Sequence, residues 1–237
     1  MAVTSRFLVD LRVGPRTLEV AKQLVASVAL ACFGNLPLLL IDDHLPYPAA
    51  ILDVFGLICH RRRPSGRGRK RHPVLKPPPG LWVGVVHKVR DATGNLIGVK
   101  RWALFGGRKQ IRRRIAKLGI GEEINTSHIE RLNGTMRGQQ TRLARRTRNR
   151  SRGESWLQWA LWLWRDLYNW TRRHGSLDGR SPAMMLGLSD RVWSVVEYVC
   201  YPVHVSELQR EDWSERRKMA LESALDRYKP KKPLPTS

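Results

Sequence analysis

The stretch Asn125 to Arg152 reads NTSHIERLNGTMRGQQTRLARRTRNRSR, and its reading decides the fold. Asn125, Thr126 and Ser127 open it, three residues able to cap a first helical turn. Ile129, Leu132, Met136 and Leu143 then recur at spacings of three, four and seven, which makes one buried face. Glu130, Asn133 and Arg137 fall at i, i+3 and i+7 on a different face. A single carboxylate is thereby held rigidly beside the apolar seam. From Arg131 to Gly153 there is no acid, while Arg137, Arg142, Arg145, Arg146, Arg148, Arg150 and Arg152 crowd the second half. Guanidinium groups at this density, without balancing carboxylates, suit phosphate recognition. A solvated basic helix in which Glu130 only pairs with a neighbouring arginine fits the same residues.

The rest of the chain points the same way. In 237 residues, Lys+Arg number 43 against 20 Asp+Glu, a formal charge of +23. That imbalance is too large for an ordinary enzyme of small substrates and implies a polyanionic partner, most simply nucleic acid. A membrane surface is the runner-up, but no apolar run approaches the ~18 residues of a spanning helix; the longest candidate, Trp156 to Leu163, is closed by Arg165 and Asp166. Cys32, Cys59 and Cys200 are odd in number and widely spaced, which supports neither a disulfide framework nor a cysteine zinc site. A reducing cytoplasm is the expected compartment. Such a length buries one good core with a small appendage.

Taken in order, Arg6 to Gly14 alternates with period two and reads as a strand, closed by Gly14-Pro15. Thr17 caps a helix through Ala31 with Leu18, Ala21, Leu24, Val25 and Val28 inward. Pro37 to Ile41 is a continuous apolar run, as a strand covered on both faces requires, and is expected to be central and parallel. Asp42 and Asp43 follow it, where open α/β sheets place their ligands; the pair capping the next helix, Pro48 to Phe55, is the plainer alternative. His60 to His72, HRRRPSGRGRKRH, reads as a mobile phosphate-contacting loop within a basic insertion at about 60–80. Leu81 to Val89 and Leu96 to Phe105 flank Asp91-Ala-Thr-Gly-Asn95 as a β-hairpin, and Arg108 to Leu118 is a basic helix. Trp156 to Trp170 is a helix whose apolar side is Trp156, Trp159, Ala160, Leu163, Leu167 and Trp170. Such aromatics stack on unpaired bases in some proteins, but at this spacing they read as core. Val192 to Val203 reads as a last packed apolar element. A second region, 206–237, reads as a charged helix and a disordered Lys/Pro tail.

With these residues in view, Asn125 to Arg152 resembles the end of the catalytic domain in insertion-sequence transposases of the insertion-sequence-one type. Ile129-Glu130-Arg131-Leu132-Asn133 looks like the segment carrying the glutamate of their Asp, Asp, Glu triad, and the flanking Asn-Thr-Ser and Leu-Ala-Arg-Arg-Thr strengthen the match. Ile41-Asp42-Asp43-His44-Leu45-Pro46-Tyr47 matches the family's Asp followed five residues later by Tyr; Asp43 stands where glycine is common. Tyr168-Asn-Trp-Thr-Arg-Arg-His174-Gly-Ser-Leu177 with Ser181-Pro182-Ala183 is similar to the closing segment of the core in many integrase-like recombinases, with Arg173 where proline is common. The resemblance covers roughly residues 5 to 205.

The resemblance implies a ribonuclease H-like α/β core over 1–205, a mixed sheet flanked by helices, with the basic loop and the β-hairpin as insertions and a helical C-terminal part. It implies DNA transposition: cleavage and strand transfer at insertion-sequence ends by two Mg²⁺ or Mn²⁺ ions, in an active homo-oligomer. Asp42 and Glu130 would be catalytic metal ligands. Arg137, Arg142, Arg145, Arg146 and Arg148 would hold DNA phosphates, and Asn133 would orient Glu130 or a strand. Such chemistry needs carboxylates on separate elements converging on ions about 3.5–4 Å apart, and Mg²⁺ takes oxygen ligands without a His/Cys cluster. Arg6 to Gly14 resembles the family's second strand, which puts the first triad Asp before Met1; Asp10 substitutes only if that strand is the first. The alternatives are a catalytically dead DNA-binding remnant and a basic RNA-binding structural protein.

Overall fold

The computed structural model describes residues 1–60, 72–143, 148–149 and 151–201. The chain divides into two compact units, Met1–Trp193 and Ser194–Ser237. The basic loop read at 60–72 lies, but for its two end histidines, outside the described residues, as do Arg145, Arg146 and the region 206–237.

The first unit is a mixed α/β structure built on three strands. β1 (Leu38–Asp42) pairs in parallel with β4 (Trp82–Arg90), and β4 pairs antiparallel with β5 (Leu96–Phe105). Between them in sequence, β2 (Leu57–Cys59) and β3 (Val74–Lys76) form a separate antiparallel ribbon at the two ends of the basic loop. On one face of the main sheet, α1 (Leu18–Ala31) and α2 (Pro46–Phe55) bring Ala21, Val25, Ala50 and Ile51 onto Val83, Leu39 and Ile41. On the other face, α3 (Arg108–Lys117) brings Ile111 and Ile115, with Ile124, onto Val86, Leu38 and Leu40. Both faces of β1 are therefore covered, which accounts for its unbroken apolar run. Among the described strands, however, β1 is an edge, and the centre belongs to β4.

The hairpin is consequently not an insertion. Val83, Val85 and Val86 are among the least exposed residues in the chain, as befits a strand covered on both faces. Gly84 shows how closely the layers meet there: a Cβ on it would lie 2.9 Å from Ile124 Cγ2 and 3.1 Å from Leu40 Cδ2. Gly84→Ala is expected to destabilise the fold by about 1–3 kcal/mol, read as a lower urea midpoint at unchanged slope. An unchanged midpoint would mean that α3 and Ile124 do not press on the sheet.

Arg6 to Gly14 is not a strand. Its backbone groups are met by side chains of α5 (Glu154–Trp170) instead of by a neighbouring strand. Asn169 donates from Nδ2 to the Leu8 carbonyl (3.0 Å) and accepts from the Leu8 N–H at Oδ1 (2.8 Å). Gln158 donates to the Leu11 carbonyl and accepts from the Val13 N–H, each at 2.7 Å. The alternation is real, but its inward set is Leu8 and Asp10.

α4 (Ser127–Gln139) follows, and then a 3₁₀ turn, Thr141–Leu143. Ile129, Leu132 and Met136 of α4 pack with Leu8, Trp164 and Tyr168 in a third cluster; Leu143 lies past the helix end. On α5 the buried stripe is Leu161, Trp164 and Tyr168, with Asn169, not the tryptophan-led side read from the sequence. Trp156 and Trp159 are 62% and 46% exposed, and Leu163 is 50% exposed. At 100° per residue the apolar residues of α5, Trp162 apart, spread over an arc of about 200°, so period alone does not choose which part of it faces inward. The first unit closes with a 3₁₀ turn, Gly175–Leu177, and α6 (Pro182–Met185), whose cap Ser181 accepts from the Met184 N–H. In the second unit, α7 (Val195–Cys200) has no buried residue among those described, so the packed apolar element read at Val192 to Val203 is not seen.

Candidate carboxylate pair and nucleic-acid interface

Asp42 is the last residue of β1, level with Val86 in the middle of β4, which runs on to Arg90. Side chains alternate along a strand, so Asp42 shares the face of Leu38 and Leu40, and Asp43 turns to the face of Leu39 and Ile41. The contacts agree: Asp43 Oδ2 pairs with His87 Nδ1 at 2.9 Å, and its N–H donates to the Val86 carbonyl. Neither aspartate caps α2, whose N-cap is Leu45 and has no side-chain cap bond. The negative charge of Asp42 adds to burial in holding the nearby Tyr47 phenol above its usual pKa.

Glu130 approaches the Asp42 face from α4, beyond Ile124. Its Oε2 accepts from Lys88 Nζ, and its Oε1 accepts from Thr126 Oγ1 at 2.8 Å. Lys88 lies two residues past Val86, about 7 Å further along β4 and on the same face. Partial burial pushes the Glu130 carboxyl up, but the Lys88 and Thr126 hydrogen bonds and the charges of Lys88 and Arg90 outweigh it and hold it below the usual range. Glu130 is ionised at neutral pH. The neighbour that pairs with it is a strand lysine and not an arginine of its own helix. Thr126 holds the N-cap position of α4 yet spends its hydroxyl on Glu130.

Asp10 belongs elsewhere. It is 9% exposed and accepts from Leu11 N–H, Arg12 Nε, Ser27 Oγ and Trp162 Nε1, with Arg165 3.5 Å away. Its acceptor capacity is taken up by α1 and α5, and it is not a third ligand beside Asp42 and Glu130. Among the described residues, no three His, Cys, Asp or Glu side chains gather closely enough to hold an ion. A three-carboxylate, two-ion centre is therefore incomplete among the described residues.

Asn133 is half-buried and Arg137 exposed on α4, while Arg142 in the 3₁₀ turn and Arg148 are exposed. Compared with protein-family models, curated proteins and solved structures, the chain matches none. Its function therefore rests on its own residues. Lys88 and His87 were not singled out in the sequence; the signal for them was parity along β4, Lys88 with Val86 and His87 with Val85, which only the strand register supplies. Among the described residues, no helix is long and apolar enough to cross a membrane.

Proposed function

We propose that the chain handles DNA in transposition, as the ribonuclease H-like core of a DDE-type transposase resembling the insertion-sequence-one kind. The observation that carries this reading is the placement of Glu130, the sole carboxylate of α4, ionised and bonded to Lys88 just past the strand end that carries Asp42. Asp42 at the carboxyl end of β1 lies where α/β sheets work on ligands, and Glu130 reaches the same face of the sheet from a separate element. Arg137, Arg142 and Arg148, exposed downstream on the same stretch, supply the cationic path for a duplex, and the +23 charge draws polyanions to it. Asp42 and Glu130 are two of the acidic groups that cleavage requires. Bound Mg²⁺ or Mn²⁺ would supply nucleophile activation once a third joins them. A narrower reading, DNA holding without cleavage, is favoured by the sequestration of Asp10.

A nicking and strand-transfer assay on duplex DNA in Mg²⁺ or Mn²⁺, with Glu130→Gln beside the wild type, tests both. The expected result is duplex binding in both proteins and nicking in the wild type alone. Equal nicking removes Glu130 from the chemistry; binding with no nicking in either leaves the narrower reading. No duplex binding at low salt overturns both.

A further inference from the structure

Away from Asp42 and Glu130, a cavity of about 170 Å³ opens where α4, the N-terminal segment and the chain after α5 meet. Its walls include Arg6, His128, Arg131, Arg172, His174 and Ser176, and no lining residue is acidic. Three guanidinium groups facing one space without a carboxylate repel one another, a cost that a bound anion removes. Two of the lining side chains also have polar atoms withdrawn from water and unmatched: Arg172 Nη1 and His174 Nε2 are buried and make no hydrogen bond. Unpaired buried donors on charged groups are expensive, and where they persist a missing partner is the ordinary explanation.

The surroundings fix the walls in place. Arg6 takes a left-handed backbone (φ 58°), rare for a residue with a side chain. In that conformation its Nη1 donates to His128 Nδ1 at 2.5 Å. His174 stands edge-on to Tyr168 with ring centroids 4.8 Å apart, and the Arg172 guanidinium lies over the same ring at 5.6 Å. Burial first, and then the arginine charges, lower the pKa of both His128 and His174, so the rings are neutral at neutral pH.

We propose that this cavity is a phosphate-binding site, with Arg131 and Arg172 as its principal donors and Arg6, His174 and Ser176 completing the cradle. Size selects the group. Ligand pockets for whole drug-sized molecules run from about 300 Å³ upward, whereas 170 Å³ matches a tetrahedral oxyanion with a few waters at about 30 Å³ each. The planar fork of arginine suits phosphate oxygens in pairs. The phosphate comes either from the backbone of a DNA strand or from a strand's 5′ end. That assignment rests on the DNA reading above; the chemistry of the cradle does not.

On α4 the geometry is economical. At roughly 100° per residue, Ile129, Leu132 and Met136 form the central core stripe. Glu130, Asn133 and Arg137 flank it on one side; His128, Arg131 and Thr135 flank it on the other and line the cavity.

The test is calorimetric titration of inorganic phosphate, and anisotropy with 5′-phosphorylated and 5′-hydroxyl oligonucleotides, on the full chain. Arg172→Gln and the exposed Arg131→Gln are compared with Arg142→Gln, which lies outside the cavity. The expected result is phosphate binding that weakens about tenfold or more in either cavity variant and is unchanged in Arg142→Gln. A preference for the 5′-phosphorylated strand that the cavity variants erase assigns the site to a strand end; an equal loss on both strands assigns it to the backbone. Phosphate and strand binding left at wild-type strength in Arg131→Gln, which circular dichroism should show to be folded, overturns the site even if Arg172→Gln misfolds. Phosphate binding without any DNA binding would keep the site and remove the DNA reading.

Discussion

Asn169→Ala is expected to cost the fold about 2–4 kcal/mol, as two buried backbone groups lose their partners at once. Asn169 is 1% exposed, and its amide closes on both the N–H and the carbonyl of Leu8, itself 1% exposed at the centre of the third cluster. Alanine removes donor and acceptor together, and no water reaches the gap without opening the Leu8, Trp164 and Tyr168 packing. Gln158→Ala is the comparison. It makes the same pair of bonds to Leu11 and Val13, but in a part-buried setting where solvent replaces it, and it is expected to cost about 1 kcal/mol. Urea unfolding of the two variants decides. Equal costs would mean that the Leu8 bonds are no more buried in solution than those to Val13.

The second large effect concerns DNA. Changing Arg137, Arg142 and Arg148 together to glutamine is expected to weaken duplex binding on the order of 10²–10³-fold near 0.1 M salt. The same change is expected to flatten the slope of log affinity against log salt by about 2.7, from about 0.9 for each phosphate contact removed. All three residues are exposed, so stability should change little. The slope is the decisive readout, because a variant that lost affinity by misfolding would not lose it in proportion to the counterions released. An unchanged slope would place the DNA elsewhere on the chain.

Much of this architecture is written plainly in the sequence, and the places where it is not have physical causes. α1 from Leu18 to Ala31, the hairpin around Asp91 to Asn95, and α4 starting beside Thr126 all carry local signals, namely caps, periods and turn residues. What local signals do not encode is partnership. Arg6 to Gly14 alternates as a strand does, yet its hydrogen bonds go to two amides about 150 residues away. The Trp-Val-Gly-Val-Val run of β4 has the unbroken apolar character of a central strand, but the turn at Asp91 to Asn95 marks it only as one arm of a local hairpin, which the resemblance made an insertion. α5 offers two apolar stripes, and only the position of Leu8 and Leu132 selects the one through Leu161, Trp164 and Tyr168. At the carboxylate pair, the resemblance singled out Glu130 and preferred Asp42 to Asp43. The parity of β1 puts the two aspartates on opposite faces, and Lys88 comes into view only through its place on β4. The cavity was invisible for the same reason, since Arg6, Arg131 and Arg172 meet only after three distant segments have packed.

The amide clasp on Arg6 to Gly14 also imposes an order of events. Gln158 and Asn169 leave the ribosome some 150 residues after this segment, a delay of about 8–30 s at ordinary synthesis rates. For that interval Phe7, Leu8, Val9 and Leu11 have no clasp to enter, while the residues of β1, β4 and β5 have already emerged. The segment is therefore set in place only after α5 is made, and Asp10, Arg6 and the cavity wall that Arg6 forms acquire their positions only then.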